Sequence, residues 1–136
     1  MTRKSDPVAK FLRARGCPPF VVDGGIERLL AKWESVAESL ARTWSFGLED
    51  WLNDLDGRRL LDDIATAEPS AIGGKIEERL RAADQLFLKR TRPVTQCLWG
   101  PKAAAQLGIT AEQQWWYFRV PKKSAGDLLA DVGTVR

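Results

Sequence analysis

Apolar side chains recur at three- and four-residue steps through most of the chain, and the pattern changes character only in the last third. The longest run starts at Gly25, where Ile26, Leu29, Leu30, Trp33, Val36, Ala37, Leu40, Trp44, Leu48, Trp51, Leu52 and Leu55 mark one helical face. Gly47 inside that run costs about 1 kcal/mol relative to alanine and Ser45 can cap a restart, so the spacing allows two helices meeting near residues 45 to 47. Ahead of it, Asp6 and Pro7 read as an N-cap and first helical position, Gly16 closes that short helix, and Cys17 to Asp23, with Pro18 and Pro19, reads as a connector.

Beyond Leu55, Asp56 and Gly57 read as a turn and cap before a short helix holding Leu60, Leu61 and Ile64. Pro69 and Ser70 punctuate the chain, and Ile72, Ile76, Leu80, Ala83 and Phe87 predict another amphipathic helix that ends before Pro93. Val94 to Trp99 then reads as a strand closed by Gly100 and Pro101, and Lys102 to Leu107 as a short helix stopped by Gly108. Thr110 with Gln113 forms a capping box ahead of the run Trp115, Trp116, Tyr117, Phe118, Arg119, Val120, which has strand chemistry. Ser124 can cap a last helix through Val132.

The elements sum to an α+β fold that is mostly helical, several N-terminal helices packed with one small antiparallel two-stranded sheet near the C-terminus. Residues 1–136 read as a single compact domain, helical over about 6–92, with the strand pair and its short helices over about 93–132. At that length one core needs no staples. No stretch of about 18 apolar residues and no secretory leader appears, so the expectation is a cytoplasmic protein without a membrane partner. Cys17 and Cys97 accordingly read as buried free thiols.

Charge adds one asymmetry. Residues 1–22 hold five basic and one acidic side chain, residues 23–70 five and eleven, and residues 71–136 eleven and six. Such segregation can steer an ionic partner, but pairing between the segments accounts for it more simply.

Candidate chemistry is sparse. The absence of histidine removes the commonest general base and the commonest zinc ligand together. Ser45 lacks the glycine two residues earlier that a nucleophile elbow needs. Gly74 and Lys75 resemble the end of a phosphate-binding loop, but Pro69 stands where its first glycine belongs and Ile76 replaces the serine or threonine. An EF-hand loop from Leu52 through Asp54, Asp56 and Gly57 lacks its first ligand. Of the acidic cluster Glu49, Asp50, Asp54, Asp56, Asp62 and Asp63, only Asp50 and Asp54 share a helix face where carboxylates could hold Mg²⁺, and a solvated face neutralised by Arg58 and Arg59 is the preferred reading. No catalytic residue, cofactor or metal is assigned.

One surface remains. If residues 115–120 form a strand, Trp115, Tyr117 and Arg119 lie on one face and Trp116, Phe118 and Val120 on the other, with Lys122 and Lys123 following. Lys89, Arg90 and Arg92 precede the partner strand, and pairing brings the two basic groups to nearby edges. Trp115, Tyr117, Arg119, Lys122, Lys123, Lys89, Arg90 and Arg92 are thus the candidate binding surface. Burial of both strand faces is the competing reading, and tryptophan's usual burial favours it. The function expected first is a non-catalytic interaction or regulatory module whose partner is another protein or itself. The second is a nucleic-acid-binding accessory protein using the basic residues around the strands, and a small Mg-dependent enzyme on the acidic helix comes last.

Overall fold

In the computed structural model, which describes residues 7–123 and Leu128, the chain is α+β, with five helices and one two-stranded antiparallel sheet. In chain order these are α1 (Pro7–Ala14), α2 (Pro19–Ser39), α3 (Leu48–Ala67), α4 (Gly74–Arg90), β1 (Thr91–Pro93), α5 (Pro101–Leu107) and β2 (Arg119–Pro121). Short 3₁₀ turns occupy Pro69–Ala71 and Trp115–Phe118. The expected cap at Asp6 and the expected helix from Ser124 lie outside the described residues, apart from Leu128, which is buried in the core. No described helix is long and apolar enough to cross a membrane.

Helix α2 is the hub, packing against α1, α3 and α4. Its buried stripe of Leu30, Trp33, Val36 and Ala37 meets Trp51, Leu52, Leu55 and Leu61 of α3 and Leu80, Ala83 and Phe87 of α4. Trp116, Tyr117 and Val120 close the same core from the C-terminal side. A smaller cluster, Val8, Ala9, Leu12, Val22 and Ile64, seats α1. Ion pairs join the charge segments as the simpler reading of the asymmetry expects. Arg15 reaches Asp63 at 2.9 Å, and Arg79 of α4 reaches Glu34 and Glu27 of α2 at 2.7 and 2.8 Å. Arg79's hydrogen bonds hold the Glu34 carboxyl below its ordinary range, against the opposing effect of burial.

Several boundaries differ from the sequence expectation. The connector over residues 17–23 is helical from Pro19, because proline at the first helical position needs no N–H partner. Gly25 then breaks α2 internally at φ 58°, ψ −150°, a conformation essentially reserved for glycine. The long period is not one helix. Leu40 and Trp44 stay buried in the loop after Ser39, four residues apart, so the pattern runs on through non-helical chain. The restart near residues 45 to 47 holds, with Gly47 at the N-cap in place of Ser45.

Asp56 and Gly57 form no turn and lie inside α3, since Leu52, Leu55, Arg58 and Leu61 keep burying one face across them. Gly57 has an ordinary helical φ, and a Cβ there would meet nothing within 4 Å. Gly57→Ala is therefore expected to add about 0.5–1 kcal/mol by reducing unfolded-chain freedom. Melting followed by circular dichroism should rise by roughly 2–6 °C, and a fall would mean that α3 bends at this point.

The strand pair is real but displaced. β1 starts directly after α4, where the Thr91 hydroxyl donates to the Phe87 carbonyl at 2.8 Å, and it pairs Thr91 with Pro121, Arg92 with Val120 and Pro93 with Arg119. Residues 94–99 form turns. Their buried members, Cys97 and Leu98, are sequence neighbours, which an alternating strand does not allow. Trp115 to Phe118 likewise wind as a 3₁₀ turn, so adjacent Trp116 and Tyr117 are both buried. Thr110 Oγ1 accepts from the Gln113 N–H, while the reach-back to the Thr110 N–H comes from Gln114.

Candidate functional site

The proposed aromatic face does not survive the 3₁₀ turn. Tyr117 is fully buried and its hydroxyl donates to Asp56 at 2.5 Å; burial, then that carboxylate, raises its pKa. Trp115 is half-buried against Phe87, with ring centroids 5.8 Å apart. Arg119 turns inward, its guanidinium donating to Thr91 Oγ1 at 2.7 Å and to the Thr91 and Leu88 carbonyls. Burial pulls its pKa down. These three residues serve the core, as the burial reading expects.

Four of the basic residues converge. Lys89 and Arg90 at the end of α4 and Lys122 and Lys123 just after β2 line one cleft of about 280 Å³, floored by Leu40, Ala41 and Leu86. The sheet register causes this: the Lys122 N–H donates to the Arg90 carbonyl at 3.0 Å, setting the two basic pairs side by side. Two of the four cations are engaged with backbone. Arg90 Nη1 donates to the Ala37 and Glu38 carbonyls at 3.0 Å, and Lys123 Nζ to the Ala41 carbonyl at 3.1 Å, offsetting the negative end of α2. Among the described residues no carboxylate lines this cleft, and Lys89 and Lys122 make no ion pair. Arg92 is exposed on β1 outside the cleft lining.

Two further clefts differ in charge. One, of about 740 Å³, sets Arg15 and Arg59 against Asp62 and Asp63. The other, about 350 Å³, sets the same arginines against Asp56 beside Trp99 and Leu107, which are exposed.

The acidic cluster is dispersed into structural roles. Asp54 pairs with Lys32 at 3.9 Å, and burial raises its carboxyl pKa with Asp50 adding to the rise and Lys32 opposing it. Asp63 pairs with Arg15 and Arg59, and Asp56 accepts from Tyr117 and, at 3.4 Å, from the Trp99 indole. Among the described residues, no three Cys, Asp or Glu side chains are disposed to hold a metal. Cys97 is buried, which pushes its thiol pKa up, whereas Cys17 is only half-buried, contrary to expectation, in the cleft beside Trp99.

A network absent from the sequence reading lies behind the cleft-bearing helices. Arg58 of α3 is buried and donates twice to Asp84 of α4, both bonds at 2.9 Å, and the Trp33 indole donates to the same carboxylate at 2.9 Å. The Arg58 guanidinium carbon lies 4.7 and 5.7 Å from the Trp116 and Trp115 ring centroids, and its Nη1 is buried without an acceptor among the described residues. Its signal was present: Arg58 interrupts the apolar stripe of α3 at a core position.

No family model, curated protein or solved structure matches this chain. Function therefore rests on what the surface can bind.

Proposed function

We propose that the protein is a non-catalytic nucleic-acid-binding module that grips the phosphate backbone with the cleft between the end of α4 and the residues after β2. The observation carrying this reading is the convergence of Lys89, Arg90, Lys122 and Lys123 on one cleft that no carboxylate of the described residues lines. Cations so grouped attract phosphate and release its condensed counterions, whereas the acid-lined clefts elsewhere neutralise their own arginines. A sequence pI near 9.1 favours the same partner at neutral pH. Lysine ammonium and arginine guanidinium groups recognise phosphate without moving a proton, which is what binding alone asks of them.

Fluorescence anisotropy with labelled DNA and RNA, repeated from low to physiological salt, tests it. The expected result is affinity that falls about a hundredfold between 50 and 200 mM salt, as roughly four phosphate contacts require. Lys89→Gln with Lys122→Gln should weaken binding to every sequence and lower the salt slope by about two. Neither side chain makes a hydrogen bond or ion pair among the described residues, so stability should be unchanged. Absence of binding even at low salt would overturn the reading and leave contact with another protein, for which exposed Trp99 and Leu107 offer one apolar surface.

A further inference from the structure

The loop joining α2 to α3 carries an aromatic ring that the core does not absorb. Phe46 is 59 % exposed, although the neighbouring Trp44 is buried. The Trp44 ring lies 5.0 Å from Trp51 and 5.5 Å from Phe46, each pair near-perpendicular, so the Phe46 ring rests against a neighbour that is itself fixed in the core. The loop is also tied to the cationic cleft: the Trp44 N–H donates to the Lys123 carbonyl at 2.7 Å, and Lys123 Nζ returns to the Ala41 carbonyl. Arg42, between those two anchors, is exposed and makes no ion pair among the described residues. A propped, solvent-facing ring thus stands two residues along the chain from the bridge to Lys123, on the loop that Lys123 holds.

We propose that Phe46 is a stacking platform for an unpaired base, which makes the ligand of this surface a single-stranded nucleic acid. The inference rests on the phosphate-binding reading of the cleft and adds the strandedness of the ligand. A duplex keeps its base faces stacked internally and offers the ring nothing, whereas a single strand threaded past Lys122 and Lys123 can lay a base on it. Stacking tolerates any base, because each has a π face, so little sequence preference is expected.

The test compares a labelled oligouridylate and a labelled duplex of the same length against the protein and its Phe46→Ala, Phe46→Leu and Phe46→Tyr variants at fixed salt. Phe46→Ala and Phe46→Leu should both bind the single strand about 5- to 100-fold more weakly with an unaltered salt slope, Phe46→Tyr should bind as the parent does, and duplex binding should not change. The leucine variant separates stacking from plain apolar contact. Undiminished single-strand binding by Phe46→Ala, or a parent protein that prefers the duplex, would overturn this inference and leave the phosphate-binding cleft standing. A parent that binds neither strand form would overturn both.

Discussion

Asp84→Ala is expected to be the most damaging single substitution, costing about 3–5 kcal/mol in urea unfolding. The carboxylate holds two donors of Arg58 and the Trp33 indole, and Arg58 is 7 % exposed, so its charge has no route to water once the partner is gone. Most of the loss is the cost of a buried, unpaired guanidinium, not the strength of the lost pair itself. The substitutions are therefore asymmetric. Arg58→Met keeps the side-chain stem under Trp116 and leaves Asp84 its indole donor and some solvent, with 17 % of its side chain exposed against 8 % for Arg58, so it should be clearly milder. On a chain of this length the Asp84→Ala loss lowers the melting temperature by roughly 10–20 °C. A loss under about 1 kcal/mol would mean that the guanidinium can swing out to solvent, contrary to its position beneath the Trp116 ring.

Phe87→Ala should fall close behind, at about 3–5 kcal/mol. This ring is fully buried and touches three tryptophans, with centroids 4.7 Å from Trp33, 5.7 Å from Trp51 and 5.8 Å from Trp115. It lies parallel to Trp51 within 9°, an offset stack whose loss adds to the cavity left behind. Large fused rings on three sides cannot easily collapse into the space, which places the cost at the upper end. Phe87→Leu should cost less than half as much in the same unfolding experiment, and equal losses for the two variants would show that volume matters little there. Asp84 and Phe87 lie one turn apart on α4 and share Trp33, so the double substitution should deviate measurably from the sum of its parts.

What the sequence revealed followed from how closely local pattern tracks local structure. The periodic helices were legible, α4 most of all, because there apolar spacing, flanking breakers and tertiary burial agree. The stop of α5 at Gly108 was legible too, since glycine is suited to the left-handed φ of 68° that ends it. Asp56–Gly57 misled because turn chemistry was read at a position where packing of Leu55, Arg58 and Leu61 overrides it. The aromatic run misled because residue type suggests a strand while only geometry reveals a 3₁₀ turn, and with it went the alternation that set Trp115, Tyr117 and Arg119 on one face. The cluster of Lys89, Arg90, Lys122 and Lys123 was anticipated by charge and pairing together. Phe46 was not, since exposure of one ring beside a buried Trp44 has no signature in residue order.

The lid over Arg58 comes from residues more than fifty positions further along the chain. The same late segment supplies the Arg119 carbonyl that accepts the Trp51 indole N–H at 2.9 Å. In chain order α1 to α4 thus precede the segment that covers the Arg58 guanidinium and accepts the Trp51 indole N–H. A chain shortened before Trp115 would lack this cover, leaving the Arg58 and Trp51 side of the interior open to water and to other chains.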